Sequence, residues 1–310
     1  MDFMISRPRK SLLFLLLAVV PMTGCLLFRS RTIHRQQSTA PLKAASEAEL
    51  IDYINQQAAN IQSMQATVDI DTSVEKHGKN KDYPEIYGYV LARKPAMLRV
   101  VGLMPVVHTC CAVDMVSNGQ NFKLSIPPEN RFVVGRNDVP TPDAKNPLEN
   151  LRPQHIYDAL LLRETNPPTE SVEMQNGVEF VDGPNGHEME QPDYEIDISG
   201  KNDRGVPSLS RKIVFSRTDL LPHRQIVYDR DGNLATDTRY EGYKDYNGVN
   251  FPSQIEVRRP HYVIVLHVVK LQLNKVLTND QFELKQPPGA LVIDLNQSQG
   301  ASTSAKLPVR

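Results

Sequence analysis

Apolar residues recur along the chain with two different periods. Leu50, Ile54, Ala58 and Ile61 follow helical spacing, with Ile51 widening the stripe. Ser46 and Glu49 fit a capping box, in which the serine hydroxyl takes a backbone N–H three residues on and the glutamate reaches back. Together these predict an amphipathic helix from Ser46 to about Met64. From Val68 the period falls to two. Val68/Ile70, Ile86 to Ala92, Met97 to Val101, Val113 to Val116, Phe122/Leu124/Ile126 and Phe132 to Val134 alternate as strands do, and Asn118-Gly119 supplies a hairpin turn. Asn146 to Leu162 interrupts them as a second helix, with Pro153 near its start and Ile156, Leu160 and Arg163 at helical steps. Strand spacing resumes at Tyr194/Ile196/Ile198, Ile213/Phe215, Ile226/Tyr228, Thr236 to Tyr243, Ile255/Val257 and Val263 to Leu271. Frequent turns without βαβ alternation predict an α+β protein built on one antiparallel sheet.

The run from Tyr262 to Leu271 is apolar at odd and even positions alike. Such a strand is either covered on both faces or lines an apolar cavity on one of them. Val263, Val265 and Val269 are the candidate cavity lining, and His267 reads as a satisfied core histidine.

The N-terminus follows neither period. Arg7, Arg9 and Lys10 precede the unbroken run Leu12 to Val20, which is far short of the ~20 residues that span a bilayer. A positive start, a short apolar stretch and small residues ahead of a cut are the requirements of an export signal. Thr23-Gly24-Cys25 then resembles the bacterial lipobox, which implies removal of residues 1–24 and acylation of Cys25. Two or more acyl chains hold a protein stably on a membrane. Leu26, where an aspartate would favour inner-membrane retention in such lipoproteins, points to the outer membrane, with the folded part facing the periplasm. Residues 25–45, with Arg29, Arg31, Arg35 and several polar residues, read as a tether, and 296–310 as a disordered tail.

Charge and chemistry narrow the function. The formal net charge is −1 and Trp is absent, so neither a basic field nor an aromatic platform for nucleic acid is present. No nucleophile elbow, zinc-protease helix, phosphate loop or dinucleotide fingerprint occurs, so no catalytic residue, metal or cofactor is expected. His108-Thr109-Cys110-Cys111 invites a metal or redox reading, but adjacent cysteines point to opposite faces of a strand, and they read better as small apolar fillers. Lys76 to Lys81 reads as a charged hairpin tip. Arg258-Arg259-Pro260-His261 is either a contact for phosphate headgroups or a solvated rim. Gly102-Leu103-Met104-Pro105 places a Leu-Met pair between strands, where loops are usually polar. That loop either meets membrane or acyl cargo or tucks into its own core.

Taken together, the capped helix, the long antiparallel series, Arg99 to Val106, the helix opening Asn146 to Leu151 and the closing Gln286-Pro287-Pro288-Gly289-Ala290-Leu291-Val292 resemble the bacterial lipoprotein carrier and receptor family, LolA and LolB. The resemblance covers roughly residues 45–295, with added turns around Pro140 to Asn146 and Gly183 to Pro192. It implies a half-open antiparallel β-barrel over residues 46–295 whose concave apolar face is lidded by helices. It also implies a non-enzymatic lipoprotein that binds acyl chains of lipoproteins or lipids, touches membrane or cargo through Leu103 and Met104, and meets a periplasmic carrier protein. The alternative is an envelope sensor or scaffold of the same fold that binds proteins and no lipid.

Overall fold

The computed structural model describes residues 36–76, 79–104, 111–139, 151–182, 188–202 and 204–296. The signal segment and Cys25, residues 105–110 with His108 and Cys110, the turns from Pro140 to Asn146, the opening of the second helix at 146–150, residues 183–187 and the tail after Asn296 lie outside the described residues.

Ser46 caps α1 (Glu47–Asn60): its hydroxyl accepts the Glu49 N–H at 3.3 Å, and Glu49 Oε2 accepts the Ser46 N–H at 2.7 Å. The helix stops at Asn60, short of Met64, because Ile61 turns extended and Met64 already alternates with Ala66 and Val68 as a buried strand residue. Its last carbonyls are taken up by Gln62, Lys94 and Asn274. The first half of the chain supplies β1 (Gln36–Gln37), β2 (Ser63–Lys76), β3 (Lys79–Asp82), β4 (Ile86–Arg93), β5 (Met97–Leu103), β6 (Cys111–Ser117), β7 (Asn121–Ile126) and β8 (Arg131–Arg136). After α2 (Pro153–Leu160) come β9 (Ser171–Asp182), β10 (Glu188–Lys201), β11 (Pro207–Ser216), β12 (Pro222–Tyr228), β13 (Leu234–Glu241), β14 (Lys244–Tyr246), β15 (Val249–Phe251), β16 (Gln254–Arg259), β17 (Tyr262–Leu273) and β18 (Leu291–Asp294).

The chain divides into two compact units. In the smaller, β1 lies parallel to the start of β10, pairing Gln36 with Met189 and Gln37 with Glu190. The larger unit, Thr39–Glu179 with Gln191 onward, holds one sheet in the order β10-β11-β12-β13-β16-β17-β2-β4-β5-β6-β7-β8-β18. Its neighbours are antiparallel except β18, which runs parallel to β8, and the order does not close on itself. The structure is α+β with a mainly antiparallel sheet.

Cross-strand register builds one continuous inner face. Tyr194 and Ile196 stand opposite Phe215 and Ile213, Tyr240 opposite Ile255, Ile255 opposite Leu266, and Leu266 opposite Ile70. Val90 then faces Val100, Val100 faces Met115, Met115 faces Leu124, and Leu124 faces Val133. Both helices bury their apolar stripes on this face. Leu50 and Ile54 of α1 pack with Ile196, Ile213 and Phe215, whereas Ile61 joins the main core that Ile156 and Leu160 of α2 complete. The opposite face of β5 to β8 is covered by the segment leading to β18, through Leu284 against Val116 and Phe132 and through Arg99, which donates to the Gln281 carbonyl and pairs with Asp114 at 2.8 Å.

Strand β17 departs from its sequence reading. Tyr262, Ile264, Leu266 and Val268 are buried on the inner face, while Val263, Val265 and His267 point outward and are half-buried. Val269 is 61% exposed at a bulge where the register with β2 shifts. The outer face tolerates water because its neighbours are polar: Asp71 and Glu256 flank Val265, and His267 Nε2 lies 3.3 Å from Asp71. Periodicity within one strand could not show this, since the polarity of an outer face is contributed by the strands beside it.

Removing the cap and removing a buried contact are expected to differ in size. Ser46→Ala should lower the free energy of unfolding by about 1 kcal/mol, and Ile54→Ala, at a fully buried position, by about 2–5 kcal/mol. Urea unfolding followed by circular dichroism checks both; a larger loss for Ser46→Ala would contradict the packing assigned to α1.

Candidate functional site

The middle of the inner face is polar. Arg211, Gln225, Thr236 and Thr238 are buried on β11 to β13. A helix leaves its last carbonyls without intrahelical partners, and buried carbonyls need donors. Those donors come from this polar strip. Gln225 Nε2 donates to the Asp158 carbonyl at 2.9 Å and the Tyr240 hydroxyl to the Ala159 carbonyl at 3.0 Å. Beyond the helix, Arg211 donates to the carbonyls of Arg163 at 2.6 Å and Glu164 at 2.9 Å. The C-terminal end of α2 is thus held to the sheet by buried hydrogen bonds as well as by Ile156 and Leu160.

Beside that anchor, α1 and the end of α2 meet over an apolar pocket. Tyr53, Gln57 and Ile61 line it from α1, Leu160 and Leu162 from α2 and the residue pair after it, and Tyr240, Tyr243 and Phe251 from the strands. Its volume is about 30 Å³, room for roughly two waters. Burial pushes the Tyr53 hydroxyl up to about 12 and those of Tyr240 and Tyr243 higher still. The phenols therefore stay neutral, and the Tyr243 hydroxyl donates to the Pro222 carbonyl. The pocket is neutral and largely apolar.

Three groups tie α1 to its surroundings by side-chain hydrogen bonds. Asn55 Oδ1 accepts from the Thr165 backbone and hydroxyl at 2.9 and 3.1 Å, Glu47 Oε2 accepts the Met174 N–H at 3.0 Å, and Gln57 donates to the Asn250 carbonyl at 3.4 Å. The rest of its attachment is apolar apart from the bonds that Gln62, Lys94 and Asn274 make to its last carbonyls.

The residues singled out from sequence are placed as follows. Leu103 is the last residue of β5 rather than a loop residue: it pairs with Cys111 across a bulge and is half-buried, as is Met104. Gly102 is a strand residue too, paired with Gly88, and the Ile86 side chain occupies the space a Cβ there would need. Val263 and Val265 face away from the pocket side, which Tyr262, Ile264, Leu266 and Val268 occupy instead. Cys25 lies outside the described residues. Tyr240, Tyr243 and Phe251 were not singled out; the only signal for them was aromatic residues clustered around the turn glycines Gly242 and Gly248.

A second, larger cleft of about 660 Å³ opens on the polar side of α2. Arg152, His155 and Asp158 lie three residues apart along that side, facing the Arg259–Tyr262 turn of the β16–β17 hairpin and the β12–β13 hairpin. Burial, and after it the Arg259 and Arg152 guanidiniums, push the His155 imidazole down to about 3, so it is neutral. Burial raises the Asp158 carboxyl to about 6 against the hydrogen bond donated by Gln154 at 2.7 Å.

No protein-family model matches the chain, and no curated protein matches it. Among solved structures, the chain is similar to a LolA superfamily protein from Nitrosomonas europaea, with 17% identity and a TM-score of 0.43 over 76% of this chain and 97% of that one. A putative outer membrane lipoprotein-sorting protein domain from Vibrio parahaemolyticus matches with 12% identity and a TM-score of 0.44 over 76% and 95%. A DUF1329 family protein from Desulfovibrio piger matches with 16% identity and a TM-score of 0.48 over the same shares, 76% and 95%. The first of these bears the name of the family that the sequence resembles.

Asp158 makes the pH dependence of this region testable. Its folded carboxyl titrates near 6, above the ordinary 3.8, so the protonated form favours the fold. That contribution is complete below about pH 4 and is lost as the pH rises through 6. Asp158→Asn, which cannot ionise, should be more stable than the parent by on the order of 1 kcal/mol above pH 6, with the gap closing towards pH 4. Urea unfolding at pH 7.5 and pH 4 tests the sign; a variant less stable at pH 7.5 would show the charge to be needed.

Proposed function

We propose that the protein is a lipid-anchored envelope protein that takes up acyl chains of lipoproteins or lipids beneath α1, at the outer membrane, without catalysis. In this reading the sheet curves as a half-open barrel, its inner face is the concave one, and Cys25 carries the anchor. The supporting observation is the apolar pocket where the two helices meet. It continues the inner-face core, it is lined by neutral groups, and α1 forms one of its walls. Each methylene moved from water into such a site contributes ~0.8 kcal/mol, so a chain entering as α1 shifts replaces the contacts the helix gives up. α2, pinned by Arg211, Gln225 and Tyr240, serves as the fixed wall. Leu103 and Met104, at the end of β5, are the residues proposed to meet membrane or cargo, and a periplasmic carrier is the proposed partner.

Titration of the full chain with a fluorescent diacylated lipopeptide, and with the same peptide lacking its chains, tests this function. Saturable binding that needs the acyl chains is expected. Leu162→Asp, at the half-buried rim of the pocket, should weaken binding ~10-fold or more, since a lost Leu contact is worth ~1.5–3 kcal/mol. Leu103→Glu should bind as the parent does yet fail to pass lipopeptide to vesicles. If the folded chain binds neither peptide, the sensor or scaffold reading replaces this one.

A further inference from the structure

Strand β9 passes from one face of the sheet to the other. Val172 and Met174 pack with Leu50 and Ile54 in the inner-face cluster, and the Met174 N–H is held by Glu47. Gln175 and Asn176 are then both exposed, which breaks the alternation of a strand. Beyond them Glu179 Oε1 lies 2.9 Å from Arg239 and 3.7 Å from Arg224. Arg239 stands on β13, three strands along the sheet from β10, which is ~14 Å at the usual strand spacing. A glutamate at the edge of the sheet does not cover that span, so residues 177–179 run across the outer face. Gly177 makes the crossing close: a Cβ there would come within 2.3 Å of Asp193 Oδ1 and 2.7 Å of Glu195 Oε1.

Asp193 lies beneath this segment. It is 3% exposed, and its Oδ1 makes no hydrogen bond among the described residues. Alternation puts it on the outer face with Glu195 and Asp197 of β10, Lys212 of β11, Arg224 of β12, and Asp237 and Arg239 of β13. Glu179 of β9 completes the charged groups that face it. The cations among them are already committed. Lys212 pairs with Glu195 and lies 3.5 Å from Asp197, Arg224 makes two bonds of 2.7 Å to Asp237, and Arg239 holds Glu179. Ser216, directly opposite Asp193, bonds Thr218. An ionised Asp193 is therefore a buried charge beside two other carboxylates, with no cation left for it. Exposed to water, the same carboxylate needs no partner.

We infer that residues 177–179 form a proton-gated strap, which lies on the outer face while Asp193 is protonated and lifts from it, turning at Gln175 and Asn176, once Asp193 ionises. The first half of β9, packed with the α1 cluster, stays in place. Burial, and after it Glu195 and Glu179, push the Asp193 carboxyl up to about 7 from the ordinary 3.8. The protonated form favours the closed strap, so that preference is complete below about pH 4 and is lost as the pH rises through 7. The strap covers the face turned away from the apolar pocket, and the inference stands whether or not acyl chains bind.

Hydrogen exchange of the full chain in detergent, followed by mass spectrometry at pH 5 and pH 8 and corrected for the intrinsic rate at each pH, reads the strap directly. A peptide spanning residues 175–181 should exchange ~10-fold faster or more at pH 8, while the amides of β4 stay equally protected. Asp193→Asn, which keeps the shape but cannot ionise, should be protected alike at both pH values. Gly177→Ala, whose methyl meets Asp193, should exchange fast at both, with β4 still protected. Absence of the pH step in the parent, or the same step in Asp193→Asn, would overturn the gating. Protection in Gly177→Ala equal to that of the parent at pH 5 would overturn the close contact on which the strap rests.

Discussion

A sheet with one continuous apolar face cannot stand in water, and the covering of that face organises the larger unit. Register carries apolar side chains from β10 across β17 to β8 without a break in side, so any cover must come from outside the sheet. The helices supply it, each by a stripe of side chains at helical spacing. The strip of Arg211, Gln225, Thr236 and Thr238 in the middle of the face would be costly if left unpaired. Arg211 and Gln225 instead supply donors to the carbonyls at and just beyond the end of α2, while the Thr238 hydroxyl makes no hydrogen bond among the described residues. The end of α2 is oriented by these side chains of the sheet, and α1 by packing, by bonds of three of its own side chains and by Lys94 and Asn274 on its last carbonyls.

The pocket lies at the seam between the two helices. α2 divides two chemistries. Ala159 and Leu160 face the apolar pocket, and Arg152, His155 and Asp158 on its other side face the charged cleft. An eight-residue helix thus walls an apolar space on one side and a charged one on the other. The outer face of the sheet is more ordinary. The C-terminal segment covers β5 to β8, and water and ion pairs meet β2 and β17.

The capped helix, the alternating strands and their turns were legible in the sequence because each rests on neighbours within a few residues: Ser46 finds Glu49, and Gly119 turns at φ +91°. The α+β class followed from the same local signals. Three things were decided only by the tertiary structure. Which side of β17 is buried depends on Asp71 and Glu256 in the adjacent strands, so Ile264 and Leu266, not Val263 and Val265, face the core. Leu103 belongs to a strand because Cys111 pairs with it across the bulge. Both candidate sites assemble from segments as distant as Tyr53, Leu160 and Phe251, or Arg152 and Arg259. Local pattern records the period of an element and the residues that end it. It does not record what stands across from a side chain, and that opposition is what makes a core, a pocket or a charged floor.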